Sequence, residues 1–525
     1  IEELLQLLAQ PATAKNLSSL SPSTTELIRK IERVAASCPH IENNEFKEVA
    51  QFIEHFEARA SLTLSGSREE RAYHLLRTIG WFHANTNLSF IRNHLQTRFS
   101  EALEGIAQQL QVCPEQTAQH EDCTYLQCIT IDDKDTKDMD DALSLEVLDD
   151  GYRVGIHISD VTCLIPIDSP LDLEARARAT SHYFPEGTFH MFPSTIAEQT
   201  SSLCAGEIRP VLSCFIEFDQ LFEVRGRTLS LTKIEVKERC SYEEVDALLD
   251  PPSGQYDSLY QIASSFESKR ITNGGMKIPK REVQITLSDC KNLQNSDFTI
   301  SPYSDHTPAR ELIGEMMVMA NEFMAEFAKE HNIPFIYRSQ EPSDSASESR
   351  LVGVPPGPAY DAALRGTLKR SSISTTPGGH ATLGLSCYAQ VTSPILRYLD
   401  LLNQRQLTAF LRGEALPYTA DDLEALIQET ASALQASRVM SRDTHRFWIL
   451  KYLKRKANKK ETILGVVVRN DGPQYQIELE EVFIPVLVKS QHKLQRGDNV
   501  ELTIQKVDPV NDYVRLHIKE VKNAS

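Results

Sequence analysis

What this chain lacks narrows it first. None of its ten cysteines forms a Cys-x-x-Cys pair, so the spacing carries neither a structural zinc signature nor a disulfide framework. No run of about 18 apolar residues occurs, and nothing reads as a membrane span. Positive charge is in deficit: 55 Lys and Arg stand against 73 Asp and Glu, a net charge of -18. That weighs against a general nucleic-acid surface, and leaves room only for cations gathered locally in a channel. Scattered thiols fit a reducing compartment. The chain begins at Ile1, which reads as a processed form. The expected location is the cytoplasm, or an organelle if a targeting segment has been removed.

With 525 residues, 41% hydrophobic and 24% charged, the chain is long enough for several domains. Residues 1–112 read as a helical N-terminal module, with apolar residues at helical spacing such as Leu4, Leu7 and Leu8, then Val49, Phe52, Ile53 and Phe56. Within it, AYHLLRTIGWFHANTNLSFIRNHL joins two amphipathic stretches through a turn at Asn85–Asn87. A helix-turn-helix or winged-helix unit and a plain helical packing domain both satisfy that pattern. Polar residues 113–124 read as a linker. Residues 125–457 mix strands, near 126–131, 142–147, 152–158, 211–218 and 228–238, with helices near 171–180, 310–331 and 421–454. The methionine-rich stripe of the middle helix, including Met316, Met317 and Met324, reads as core. Residues 458–525 alternate as five strands, from ILGVVV to YVRLHI, the pattern of an OB-fold β-barrel. The fold class is therefore α+β multidomain. Just before the barrel lies KYLKRKANKK, residues 451–460, the densest basic run. Alone it would be a solvated helix end, but beside such a barrel it suits RNA.

The segment TIDDKDTKDMDDA, residues 130–142, places six aspartates in ten positions, relieved only by Lys134 and Lys137. Carboxylates so crowded repel one another, and a divalent cation relieves that best. Hard oxygen ligands suit magnesium or manganese, the ions that bind phosphate esters. A calcium loop fails: from Asp133, the sixth position is Asp138 where glycine is required, and the twelfth is Ser144 instead of glutamate. A solvated acidic turn fits poorly between two strands. The cluster therefore points to metal-assisted phosphodiester chemistry.

TIDDKDTKDMDDA resembles the signature of the RNase II/RNB exoribonucleases, an isoleucine-aspartate followed six residues later by D-x-D-D. The resemblance continues through VGIHISDV (154–161), SPLDLEARARATSHYFPEG (169–187), MFPSTIAE (191–198), SYEEV (241–245), ELIGEMMVMAN (311–321), YRSQEP (337–342) and HATLGLSCYAQVTSPILRYLDLLNQRQL (380–407). It implies an RNB catalytic domain over 125–457, followed by an OB-fold RNA-binding domain over 458–525. Asp132, Asp138, Asp140 and Asp141 become the catalytic, metal-holding carboxylates for Mg2+, with Mn2+ as the alternative ion. Tyr183 and Tyr242 become aromatic contacts of the RNA path. His380, Thr392, Ser393 and Tyr398 join them as RNA-binding candidates around the phosphate-contacting motif, while His157 and Asp160 stay structural. The implied reaction is magnesium-dependent hydrolysis of single-stranded RNA from the 3′ end to nucleoside 5′-monophosphates, by a monomer that takes no DNA and binds no membrane.

Three departures from the pattern matter. The family's first arginine after TSPI is Leu396 here. Arg397 is the nearest replacement and is carried as a catalytic candidate, although one step along a helix turns a side chain by ~100°. Ser441 stands before Arg442-Asp443 where a glutamate is usual, and Ile278 stands where a phenylalanine would sandwich the terminal base. The cold-shock-like domains usual at the front are replaced by the helical module. The alternative is therefore a catalytically weak RNA-binding or regulatory subunit of an RNA-degradation complex. Intact Asp132, Asp138, Asp140 and Asp141 favour the enzyme.

Overall fold

The computed structural model describes the chain except residues 11–16, 18–19, 40, 113, 251–253, 280, 305, 345–348, 471, 473 and 523–525. The N-terminal region is built from helices Glu2–Ala9, Pro22–Ala35, Asn43–Ala60, Arg68–Thr78, Leu88–Arg92 and Glu101–Gln109. Several start where a side chain caps the free N–H groups: Ser67 and Glu70 form a capping box, and Ser21, Asn87 and Ser100 cap their own helices. The first five pack around Ile28, Ile53, Phe56, Leu75 and Leu76. The sixth turns away and packs Ala107 against the central domain's Leu171 and Phe192 cluster. Among the described residues no strand precedes Glu121. The wing strands of a winged-helix unit are thus not found among the described residues, which leaves a helix-turn-helix pair or a plain helical packing domain. Residues 114–124 do not hang free as a linker either. His120 is buried against Asp160, and Glu121–Asp122 adds an edge strand to the central sheet.

That sheet comprises β1 (Glu121–Asp122), β2 (Cys128–Asp132), β3 (Asp141–Leu148), β4 (Gly151–Ser159), β7 (Ile208–Asp219) and β8 (Val224–Ser241); β5 (His182–Phe184) and β6 (Gly187–Phe189) form a separate hairpin. The order is β1-β8-β2-β3-β4-β7, and β7 also pairs with β8, so the sheet closes on itself. Alternate residues such as Ile129, Leu143, Val154, Ile156 and Leu212 face one apolar cluster, while their neighbours Cys128, Ala142, Val211 and Phe215 face a second, so side chains on both faces of these strands are buried. The first set meets Leu312, Met316, Ala320 and Met324 of helix Pro308–Glu330, so the methionine stripe is core. His157 lies within the sheet, bonded through Nε2 to Ser144 and through Nδ1 to Ser213 at 2.9 and 2.7 Å.

Helix Ala420–Asn458, 39 residues long, spans ~58 Å and links the domains. The C-terminal five strands form one antiparallel sheet in the order Pro485–Lys489, Gln474–Leu479, Thr462–Asn470, Asn499–Asp508, Tyr513–Lys522.

Candidate active site

The register of the central sheet assembles the site. Asp132 ends β2 and stands beside Ser241 of parallel β8, so the next residue, Tyr242, is delivered next to the aspartates. Asp141 begins β3, paired with Ile158. The loop between them is pinned from outside. Arg239 Nη2 donates to the carbonyls of Lys134 and Thr136 at 2.9 and 2.5 Å, the Ser202 hydroxyl donates to the Lys137 carbonyl at 2.7 Å, and Met139 N–H donates back to Ser202 at 3.1 Å. Asp133 pairs with Arg310, and Asp135 is exposed.

Asp138 and Asp140 are buried, at 6% and 4% exposure. Asp140 Oδ1 accepts the Ile395 N–H at 2.9 Å, while its Oδ2 is buried without a partner. Asp138 accepts the Tyr183 hydroxyl and lies 3.4 Å from His190 Nδ1; His190 Nε2 in turn meets Glu198 at 2.9 Å. Among the described residues no hydrogen bond reaches the side chain of Asp132 or Asp141. Burial, reinforced by Asp141, pushes Asp132 well above the usual carboxylate range, and burial raises Asp141 as well. Asp140 also rises well above the usual carboxylate range, mainly through burial. Asp138 goes the other way: burial would raise it, but the nearby His190 imidazole and the Tyr183 hydroxyl hold it below that range. The set is therefore three carboxylates destabilised as anions and one already satisfied.

Tyr183 sits on β5 with 52% of its surface exposed. Its hydroxyl is tied to Asp138, which leaves ring surface open to a base. The hairpin that carries it is held by the N-terminal module and the long helix. Glu186 accepts from Asn87 Nδ2 at 3.0 Å and Trp448 Nε1 at 2.9 Å, and Phe90 packs on Phe184. Tyr242 is covered on one face by the Arg310 guanidinium at 4.0 Å. His380 stacks edgewise on Tyr388 at 5.6 Å, and burial together with Arg338 pulls its imidazole down to about 4, so it is neutral. Ser393 lies in the turn before the Tyr398–Leu411 helix, its N–H donating to Asp400 at 3.1 Å.

Two of the RNA-binding candidates are placed elsewhere. Tyr398 is fully buried, and its hydroxyl donates to Asp172 at 3.1 Å. Thr392 is buried with its hydroxyl accepting from Asn321 Nδ2 at 3.1 Å. Both are consumed by core hydrogen bonds and offer RNA no surface. The helical argument against Arg397 also fails, because Leu396 and Arg397 precede the helix; Arg397 is extended and bridges Thr180 as a strand would. Leu396 packs onto the apolar cluster around Ile395 and Tyr398. Arg397 is held by Asp400 at 2.6 Å with its Nε buried and unpartnered. Burial opposes its charge, but Asp400, Tyr388 and Asp140 hold its pKa up. Ser441 is exposed on the long helix, and Ile278 is half-buried in an irregular stretch. His190, Asp400 and Arg239 carry no sequence signal strong enough to single them out. Asp400 stands two residues after Tyr398, within a recognisable motif, but His190 and Arg239 reach the site only through the hairpin and β8.

The RNB domain family matches residues 120–413. An uncharacterised ribonuclease of Synechocystis is 32% identical over 458 residues, 85% of this chain and 67% of that one. The chain belongs to the RNase II/RNB family of exoribonucleases. The chloroplastic/mitochondrial ribonuclease II of Arabidopsis thaliana is 28% identical over 454 residues, 84% of this chain. The chain spans 56% of that relative's length. Among solved structures, an active-site mutant of the Dss1 exoribonuclease of Candida glabrata matches 98% of this chain and 69% of its own, with a TM-score of 0.79 and 18% identity. Mycoplasma genitalium RNase R, in complex with ribose-methylated single-stranded RNA, matches 82% of this chain and 77% of its own, at 0.73 and 20%. Yeast Ssd1, described as a pseudonuclease, matches 80% and 58% at 0.63 and 15%. These three likenesses establish the shared RNB architecture.

The aspartates of this RNB domain fit a divalent cation. The buried, unpartnered Oδ2 of Asp140 and the raised pKa values of Asp132 and Asp141 are what a missing positive charge would correct. Among the described residues, one group brings three ligand atoms within 4.8 Å of one another, His120, Asp160 and Cys163. Arg412 Nη2 already stands 3.4 Å from both Asp160 and Cys163, so that buried knot has its cation. The four aspartates are spread more widely than such a cage.

Proposed function

We propose that the chain is a divalent-metal-dependent hydrolase that removes nucleoside 5′-monophosphates from the 3′ end of single-stranded RNA. The observation that carries this reading is a cluster of aspartates, Asp132, Asp138, Asp140 and Asp141, near enough to influence one another's charge, one of which has a buried carboxylate oxygen with no partner. Those four residues would hold magnesium, or manganese. The bound ion would supply polarisation of the phosphate and a more acidic attacking water. The protein's own residues supply the rest. Asp138 is oriented by Tyr183 and His190, the exposed ring of Tyr183 stacks the terminal base without regard to its identity, and Tyr242 under Arg310 ends the path. Arg397, charged and aimed beside Asp140, takes the phosphate contact that Leu396 cannot make. Ser393 and His380 line the approach. The C-terminal sheet is read as an OB-type barrel for RNA, and the protein as a monomer without affinity for DNA, working in the cytoplasm or an organelle.

Leu396 favours a second reading, a catalytically weak RNA-binding subunit. The test is a 5′-labelled single-stranded RNA incubated with magnesium, beside Asp140→Asn. Asparagine keeps the acceptor for Ile395 N–H, so the fold should persist. Shortening from the 3′ end by the parent alone supports the enzyme. Intact RNA with both proteins, each binding it, supports the subunit.

A further inference from the structure

Among the described residues, His190 is the histidine within ion-pair distance of one of the four aspartates. It directly follows β6, at the end of the hairpin that carries Tyr183, and is only 6% exposed. Its two ring nitrogens are used differently. Nε2 meets Glu198 Oε1 at 2.9 Å. Nδ1 lies 3.4 Å from Asp138 Oδ2, yet it is buried and makes no hydrogen bond.

An ionised carboxylate can only accept, so Glu198 takes the Nε2 proton and leaves a bare lone pair on Nδ1. A carboxylate behind one imidazole nitrogen and an open lone pair on the other is how a metal-ligating histidine is oriented. Glu198 is itself steadied, its Oε2 standing 3.6 Å from the Nζ of Lys137, the residue before Asp138. A lone pair aimed at a carboxylate oxygen is repulsive, and either a proton or a cation between them relieves it. Burial opposes a charge on His190, but Asp138 and Glu198 raise its pKa. Metal ligation takes the place of such a proton.

The spacing suits one ion. Two ligands about 2.1 Å from a cation stand about 3.0 Å apart at a right angle and about 3.4 Å apart at the tetrahedral angle. The Tyr183 hydroxyl uses one lone pair of Asp138 Oδ2, and another is left for the cation. We propose that His190 is a nitrogen ligand of the metal site beside Asp138, and that it biases the site toward a first-row transition ion over Mg2+. Imidazole suits such ions, whereas Mg2+ keeps oxygen ligands and water. The inference rests on the reading above, in which the aspartates hold a divalent cation.

Mn2+ is the probe, because its electron spin senses ligand nitrogen directly. The metal-free parent, without RNA, is loaded with substoichiometric Mn2+ and its electron spin-echo modulation is recorded. The spectrum should carry the nitrogen coupling of a bound imidazole, and isotope-labelled histidine should alter that coupling. His190→Gln should abolish it. Calorimetry on the same variant should show Mn2+ binding weakened about 10–100-fold and Mg2+ binding within about threefold of the parent's. If His190→Gln fails to fold, the labelled parent decides alone. Mn2+ bound without imidazole coupling would overturn the proposal and leave the aspartate site standing. Coupling that persists in folded His190→Gln, or equal losses for the two ions, would overturn it too. A parent that binds no Mn2+ removes both this inference and the metal-dependent reading beneath it.

Discussion

Arg397 is where the chain's departure from the RNB pattern can be tested quantitatively. Its guanidinium bonds Asp400 at 2.6 Å, and Asp400 is otherwise held by the Ser393 N–H at 3.1 Å. Arg397→Ala would strand a buried carboxylate, at a cost of about 3–5 kcal/mol in stability, so a loss of activity could reflect misfolding alone. Arg397→Met/Asp400→Asn removes both charges together. Methionine keeps most of the aliphatic volume, and asparagine still accepts from Ser393. Replacing a buried pair by groups of similar volume is often close to neutral, so the melting temperature should stay near the parent's. Activity should not. Losing one preorganised donor to a developing oxyanion costs about 10²–10³ in rate, about 2.7–4 kcal/mol. The assay is single-turnover cleavage of 5′-labelled RNA, with circular dichroism melting as the control. A folded double variant that cleaves within about threefold of the parent would refute the idea that Arg397 stands in for the missing arginine. Leu396→Arg supplies the complement. Its side chain faces the cluster around Ile395 and Tyr398, so it should lower the melting temperature without raising turnover.

Three further outcomes follow from the site and its surroundings. His190→Ala removes the group that shares Asp138 with Tyr183, and should weaken Mn2+ binding, measured by calorimetry, by about 10–100-fold; an unchanged isotherm would make His190 a packing residue. Tyr183→Phe should retain RNA affinity while lowering turnover through a freer Asp138. Tyr183→Ala should in addition lose about 1–3 kcal/mol of stacking, seen as weaker binding of RNA to the metal-free protein. Burial pushes His157 down to about 3 from an ordinary 6.5, so the folded protein keeps it neutral while the unfolded chain takes up a proton. Its contribution to stability is whole above pH 6.5 and declines as acid protonates the unfolded chain, by about 2 kcal/mol at pH 5. His157→Gln should therefore lose less stability between pH 7 and pH 5 than the parent does in chemical denaturation; parallel losses would mean that His157 does not set the acid limb.

The parts of this protein that are legible in its sequence are those where one stretch of chain decides the outcome. The aspartate loop is readable because an apolar strand bounds each of its ends, and because six carboxylates in ten residues repel one another unless a cation joins them. The methionine stripe and the five C-terminal strands are readable from periodicity alone. What sequence leaves open depends on which distant segment arrives. Tyr398 belongs to a recognisable motif, yet Asp172, more than 220 residues earlier, arrives at its hydroxyl and makes it core. Arg397 would be misdirected if the helix began one turn earlier, but Thr180 draws that residue into a bridge before the helix starts. The helical module is the sharpest case. Nothing within residues 1–112 hints at catalysis, but Asn87 and Phe90 grip the hairpin that aims Tyr183 at Asp138. Replacing Asn87 with alanine would leave one acceptor of buried Glu186 to Trp448 alone, an uncompensated loss of about 1–3 kcal/mol. The module therefore bears on the chemistry through the aim of a single tyrosine, a role that no local pattern of its own residues could announce.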